Sequence, residues 1–543
     1  MLATHCPAKY SCAVESMISD NGSTYDVVVI GGALSGAATA TLLLRRNQGL
    51  RLLIVEKSAQ LPRRVGEATV EISAYFMGRV LGLTQYLNES HLVKQGLRFW
   101  FKNDDVKSVA EASEVGGLYQ VRLPSYQLDR ATFDEEVLRR ACAAGAKLLR
   151  PATVAKVELE PGELQTLTLR HDETTKTVRA RWVVDASGRA AVLARKNGWW
   201  RNNLEHPTAA AWSRWKGVKD WDCRELAETY PEWASAVYGI RNTATNHVVG
   251  DGWWSWWIPL KGGDVSVGIV FDQRLVEFPH DEGKLGERLK NFLMQHPVGR
   301  EMLANAQFEE GDVHWRKDLA YYSTTFAGDG FVLVGDAAGF IDPFYSPGMD
   351  WISFSASAAA ELITAQRRGE PIAKRIPQHN NDFALSYRSW FESLYKDKYE
   401  YMGEWDLMGT AFRLDLGLYY LGPVADIFKH GEQGLLKPLF SVPKSRPAFH
   451  FIRTYNRRFA KIARRRRATN TLGQTNKGNR CLISGFTLSR SDSRRLIGAI
   501  ASWVRIELIE AWYSLWRRPH QTTASRPVQT KDIPDPTIVG NAS

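Results

Sequence analysis

Tyr25 to Gly36 reads YDVVVIGGALSG; a helix-like AATATLLLRRN (Ala37–Asn47) follows, then a second apolar run, LRLLIVEK (Leu50–Lys57). Apolar runs without polar alternation fit parallel strands covered on both faces. Strand, turn, helix and strand make one βαβ unit of about thirty residues. In such a unit a dinucleotide is held by glycines that allow a tight turn, close approach of the pyrophosphate and contact between helix and strand. Gly31 and Gly36 fill the first and third of these positions, with Gly32 and Ser35 between them. Ala33 stands at the second, where its methyl pushes a phosphate slightly outward. Glu56 ends the second strand, where an acid accepts hydrogen bonds from a ribose.

The chain of 543 residues has room for two or three structural units around a large core. Its five cysteines form no CxxC pair and leave one over, so the pattern predicts neither a disulfide framework nor a zinc or other metal site, and a reducing compartment. Residues 1 to 24 are polar and patternless and read as a loose leader without a signal-peptide pattern. No stretch approaches the ~20 apolar residues of a membrane span, so the expectation is a soluble, cytoplasmic protein.

Three further stretches repeat the logic of the first. Tyr126–Leu149 reads as a turn, an amphipathic helix and a strand start, with Arg130 at the helix entry available to a phosphate. VVDASGR (Val183–Arg189) ends a buried strand in a small-residue turn that carries Asp185, and GDAAG (Gly335–Gly339) follows the buried strand FVLV. In order and spacing they resemble the FAD-binding segments of the glutathione-reductase and hydroxybenzoate-hydroxylase type of flavoprotein. The resemblance implies that Gly335 and Asp336 bind the ribityl side of the flavin. No second GxGxxG follows a strand, so the sequence offers no dedicated nicotinamide site.

Two motifs and a lysine then narrow the reading. Trp254, Trp256, Ile258 and Pro259 spell WxWxIP; Phe340, Pro343, Ser346 and Gly348 spell FxxPxxSxG; and Lys94 follows the GEAT segment, Gly66–Thr69. Together they resemble the flavin-dependent halogenases of the tryptophan-halogenase superfamily over residues 25 to 365. The resemblance implies an α/β protein with a Rossmann-like FAD domain (25–95, 120–190 and 325–369) and an interleaved mixed-sheet substrate domain (96–119 and 191–324); beyond it, helical apolar spacing predicts a C-terminal helical region (370–520) covering the substrate entrance, and residues 521–543 read as a disordered tail. The resemblance also implies FAD, reduced by a separate flavin reductase, and chloride or bromide as co-substrate. Lys94 would carry or guide the electrophilic halogen, and Trp254 and Trp256 would shield the flavin from the organic substrate. Glu67, Ala68 and Thr69 would lie by the isoalloxazine. Ser346 is expected to cap a helix beginning at Pro347, whose Gly348 and Met349 amides, beside the flavin, would hold the halide.

Two departures bear on substrate and halide. Tyr345 replaces the glutamate of the free-tryptophan enzymes, which resembles the branch acting on phenolic, pyrrolic or carrier-tethered substrates. Pro347 removes an amide, and an ionised Asp350 at ~6 Å and an effective dielectric of ~20 would repel the halide by about 3 kcal/mol. A flavin monooxygenase or dehydrogenase that has lost halide use is therefore the alternative, and a non-catalytic FAD-binding docking protein a third reading.

Net charge is +11, with ten Lys or Arg and no acid between Lys444 and Arg467. Such a run suits an acyl or peptidyl carrier protein or the periphery of an anionic membrane, or is simply a solvated face; a nucleic-acid partner is not expected.

Overall fold

The computed structural model describes residues 22–280 and 283–516. The expected tail and nearly all of the leader lie outside the described residues, and the first strand begins at Thr24, one residue inside that leader. Strand β1 (Thr24–Ile30), helix α1 (Leu34–Arg46) and strand β2 (Leu52–Val55) form the βαβ unit. β3 (Lys147–Leu149), β4 (Thr174–Asp185) and β5 (Phe331–Leu333) complete a parallel run in the order β5-β4-β1-β2-β3 within an eight-stranded sheet. Register sets Val28 between Leu53 and Val183, all three fully buried. That accounts for the unbroken apolar runs: helices cover one face, and the other joins a core that holds Val157, Leu167, Leu169 and Leu193.

The second sheet has nine strands, and its centre is built from Thr208–Lys216, Val265–Asp272, Trp253–Pro259, Thr245–Gly250 and Leu97–Phe101. The sheet does not end where the sequence suggested. Arg480–Ile483, expected inside an all-helical C-terminal region, adds a parallel strand to Glu114–Gly117 and stitches that region to the sheet. Four residues with one charge carry no periodicity from which a strand could be read.

Helix α2 (Gly348–Arg367) lies against α1, and almost all of its residues are buried. Ser346 does not cap it. Tyr345 and Ser346 both adopt left-handed backbone, φ +69° and +58°, and Pro347 occupies the N-cap position without a side-chain cap. The chain must reverse sharply between Pro343 and the helix, and a left-handed pair achieves that at a steric cost that non-glycine residues bear only when their surroundings hold them.

Helix α3 (Arg446–Ala468) carries the basic run, of which Arg446, Arg457, Arg458, Lys461 and Arg464 are exposed while Arg466 and Arg467 turn partly inward. Arg466 meets Glu404, Asp406 and Glu510; Arg467 meets Asp251 and Glu400; Arg464 meets Asp397 and Glu400; Arg458 and Arg465 pair with Glu507 and Glu510 of helix α4 (Arg490–Trp516). The last turns of the run are thus held in an ion-pair network whose acids come from distant parts of the chain, while Arg446, Arg457 and Lys461 keep an exposed basic face.

Candidate active site

The glycine turn is shaped by contacts that allow no side chain. A Cβ on Gly31, φ +104°, would lie 2.5 Å from the carbonyl oxygen of Ala186, and one on Gly36 would lie 1.9 Å from that of Gly31. Ala33 is the N-cap of α1, and the amide of Leu34 meets Asp134 at 3.3 Å, leaving the Ser35 and Gly36 amides at the positive end of the helix. Glu56 sits where a ribose acid is expected, its carboxylate oriented by the amides of Gly32 (2.7 Å) and Ser58 (2.9 Å).

Two expected contacts are built differently. Arg130 grips Asp134 through Nη2 (3.0 Å) and the Gly66 carbonyl through Nη1 (3.2 Å), so it braces the loop around a phosphate position rather than standing free. The carboxylate of Asp185 accepts from Ser187 and from the Leu193 amide (2.7 Å) and so serves its own turn. Asp336 is the opposite case. Its carboxylate accepts no hydrogen bond from the described residues, burial raises its pKa, and the fields of Arg130, Arg189 and Arg64 oppose that rise. The buried Nε of Arg64 makes no hydrogen bond, its paired acid being Asp134 at 3.7 Å. Around Gly335, φ +58°, a Cβ would meet Ser35 Oγ at 2.6 Å, so GDAAG packs directly on the glycine turn. A glycine cradle, unclaimed helix amides and an unclaimed carboxylate fit the pyrophosphate and ribityl hydroxyls of FAD.

The GEAT segment is fixed by pairing with Tyr126–Gln127. Ala68 bridges Gln127, and Thr69 exchanges hydrogen bonds with Tyr126 through its amide (2.9 Å) and its hydroxyl (2.7 Å). Glu67 is turned toward Arg214, at 2.8 Å, while its second oxygen is buried without a partner. The carbonyl of Thr69 accepts from Lys94 Nζ at 2.8 Å. Lys94 is buried, and burial lowers its pKa to about 8 against the opposing fields of Glu71 and Asp350.

Lys94 lines a cavity of about 610 Å³ together with Glu71, Asp350, Tyr345, Tyr419 and Tyr420. Asp350 therefore faces the site, as its place after Gly348 left open. Its Oδ1 accepts from the Ser73 amide at 2.9 Å and its Oδ2 from Tyr419 at 3.3 Å; burial raises its pKa to about 7, with Glu71 adding to the rise. A carboxyl that is about half neutral at pH 7 does not exert the full repulsion on a halide that a free aspartate would. The space before Gly348 is open, since a Cβ there meets nothing within 4 Å. The first helical bond is Trp351 to the Pro347 carbonyl (3.0 Å), so the Gly348 and Met349 amides precede the ladder and have no intrahelical acceptor.

The motif tryptophans join this loop from the second sheet. Trp254 Nε1 donates to Tyr399 Oη (2.9 Å), which donates to Asp342 Oδ2 (2.9 Å); His206 meets the same oxygen at 2.7 Å. Trp254 also packs edge-on to Phe344, and Trp256 donates to Ser266 at 3.1 Å. Sequence reasoning missed Glu71, Tyr399, Tyr419, Tyr420 and the pair Lys398–Asp415, where Asp415 accepts from Tyr345 and from Lys398 at 2.9 Å each. Asp342 was within reach, since a carboxylate between Phe340 and Pro343 in an apolar stretch demands a buried partner.

A family model described as tryptophan halogenase matches residues 26–109 and 105–392. Flavin-dependent halogenase armH1 of Armillaria mellea is 26% identical over 390 residues, covering 67% of this chain and 70% of the relative. The tryptophan 2-halogenase of Chondromyces crocatus is 27% identical over 354 residues, covering 64% and 62%. The chain thus spans roughly two thirds of the length of these curated relatives. Among solved structures, halogenase PltM superposes with a TM-score of 0.68 at 19% identity, covering 89% of this chain and 96% of its own; the flavin-dependent brominase Bmp2 gives 0.60 at 21%, covering 81% and 100%. One PltM structure is a complex with phloroglucinol and FAD.

Proposed function

This chain belongs to the tryptophan halogenase family, and from that premise we propose that it is an FAD-dependent halogenase placing chlorine or bromine on an electron-rich aromatic ring. The observation that carries the reading is Lys94: a buried amine hydrogen-bonded to a carbonyl, lining an apolar cavity that also reaches the first turn of α2. Bound FAD, reduced by a separate flavin reductase and meeting oxygen, supplies the oxidising equivalents that turn halide into hypohalous acid. The Gly348 and Met349 amides hold the halide. Lys94 as ammonium, its majority form at neutral pH, donates to the oxygen of hypohalous acid, so that the halogen–oxygen bond breaks with water leaving as the ring attacks. Glu71 or Asp350, both with raised pKa values, takes the ring proton. Trp254, held through Tyr399 and Asp342, and Trp256 wall the halide loop from the organic substrate.

The eight-stranded sheet with α1 and α2 is the FAD unit in this reading, the nine-stranded sheet carries the wall, and the C-terminal helices form the substrate chamber. A peripheral membrane contact would use the exposed basic residues of α3, Arg446, Arg457 and Lys461, or the outward Ile497, Val504 and Leu508 of α4. No described helix is long and apolar enough to cross a membrane.

Incubation with a flavin reductase, NADH, FAD, bromide and a panel of phenols and indoles, followed by product mass, tests the proposal. Bromination lost in Lys94→Ala is the expected result. An oxygen adduct indifferent to bromide would replace the reading with a monooxygenase, the outcome that Pro347 makes worth checking.

A further inference from the structure

The cavity at Lys94 is far larger than one ring requires. A benzene-sized ligand fills about 150 Å³ of apolar cavity, against about 610 Å³ here. Lys94, Glu71 and Asp350 are one set of its polar lining and Asp426, Lys437 and Lys444 another; its apolar walls include Leu394, Phe412, Leu418, Leu439, Ile452 and Phe486, all from the C-terminal region. A single-ring substrate seated at Lys94 would leave most of this apolar wall against water, a state that an apolar extension of the substrate relieves.

The mouth shows what the extension is not. Lys437 and Lys444, its two lysines, are each paired, Lys437 with Asp382 and Lys444 with Asp426 at 2.9 Å. An acidic carrier docking there would compete with acids already in place.

Resting on the halogenase reading, we infer that the substrate is a free phenol extended by a bulky apolar body, an alkyl chain or further rings, which fills the chamber while the reacting ring stands at Lys94. Ring position is then set by the body rather than by polar contacts to the ring alone. Each buried methylene strengthens binding about two- to fourfold until the chamber is full.

The test is a series of 4-alkylphenols from methyl to octyl, measured on the full chain in two ways. Binding to the enzyme, with and without FAD, is read from tryptophan fluorescence, Trp390 being part of the chamber wall. Turnover is read as brominated product with reductase, NADH and bromide. The expected result is a Kd that falls about two- to fourfold per methylene and bromination that favours the long members. Ala448→Trp, which sets an indole in the chamber, moves the optimum to shorter chains. A Kd flat with chain length, equal bromination of 4-methylphenol and 4-octylphenol, or turnover only of a ring tethered to a carrier protein overturns the inference. Chain-length-dependent binding with no bromination of any member sinks the halogenase reading and leaves the chamber's preference standing.

Discussion

Two lysines are buried near the Tyr345–Asp350 turn, and they have opposite surroundings. Lys398, fully buried, donates to Asp415 at 2.9 Å and lies 5.5 Å from the ring centre of Tyr345. Lys94, equally buried, has a carbonyl as its hydrogen-bond partner and feels Glu71 and Asp350 only at a distance. A buried charge that faces an opposite charge at contact is part of the scaffold; one left without such a partner is held ready for a ligand or a reaction. By this reasoning Lys398 fixes Tyr345, whose hydroxyl shares the same carboxylate, and Lys94 serves chemistry.

The largest effect that separates the two is catalytic. Lys94→Met is expected to lower bromination by about 10²–10⁴-fold, the span of a lost proton donor, with FAD absorbance unchanged. Lys398→Met should retain much of its activity where it folds. Equal losses in both variants would erase the distinction.

Stability should move in opposite directions. Lys398→Met leaves Asp415 buried without its counter-charge and is expected to cost about 3–5 kcal/mol, seen as a lower melting temperature. Lys94 has a folded pKa of about 8 against an ordinary value of 10.5. Between these values the unfolded chain holds a proton that the folded one lacks, so stability rises with pH; below about 8 the cost of burying the ammonium, about 3 kcal/mol, is fully present. Lys94→Met removes that cost but leaves the Thr69 carbonyl without its donor, so at pH 7 the net gain is about 1–2 kcal/mol. A Lys94→Met protein less stable than the parent at pH 7 would show that the ammonium is paired more closely than the structure places it.

The same titration sets a pH profile. With the ammonium as donor, the bromination rate should hold near neutrality and fall about tenfold per unit above pH ~8 as the proton leaves Lys94. A profile that instead rises through pH 8 would make the neutral amine the reacting form.

What the sequence disclosed follows the same division between local and distant causes. The βαβ unit was legible because runs such as Val27–Ile30 and Leu52–Val55 must be apolar on both faces, and Gly31 and Gly36 because a Cβ there collides with backbone. The turn from Tyr345 to Gly348 was legible as a motif but not in its geometry: Ser346 has the chemistry of a cap, yet the left-handed pair is held by Asp342, Tyr399 and Asp415, the last two from the C-terminal region. The basic run was legible as a solvated face but not as a partner of acids, because composition records charge but not the acids of residues 397–406 and 507–510 that fold onto its last turns. The Arg480–Ile483 strand exists only because Glu114–Gly117 offers it an edge.

Asp336 carries the comparison from lysine to carboxylate with the smallest of these effects. Asp415 is engaged by Lys398, Tyr345 and Tyr455, whereas Asp336 has no hydrogen-bond donor among the described residues and three arginines only at a distance. If unpartnered charge marks a ligand, then Asp336→Asn, which keeps shape and removes charge, should leave the FAD-free protein as stable as the parent or more so, since desolvation already opposes the charged form of this half-buried group. It should weaken FAD about ten- to a hundredfold, the worth of one hydrogen bond to a charged group, read from retention of flavin absorbance on dilution. Asp415→Asn should show the reverse, a lower melting temperature with FAD retained. Were Asp336→Asn to bind FAD as the parent does while melting earlier, its carboxylate would belong to the arginines around it, and the rule that sets Lys94 apart from Lys398 would not extend to the flavin side of the turn.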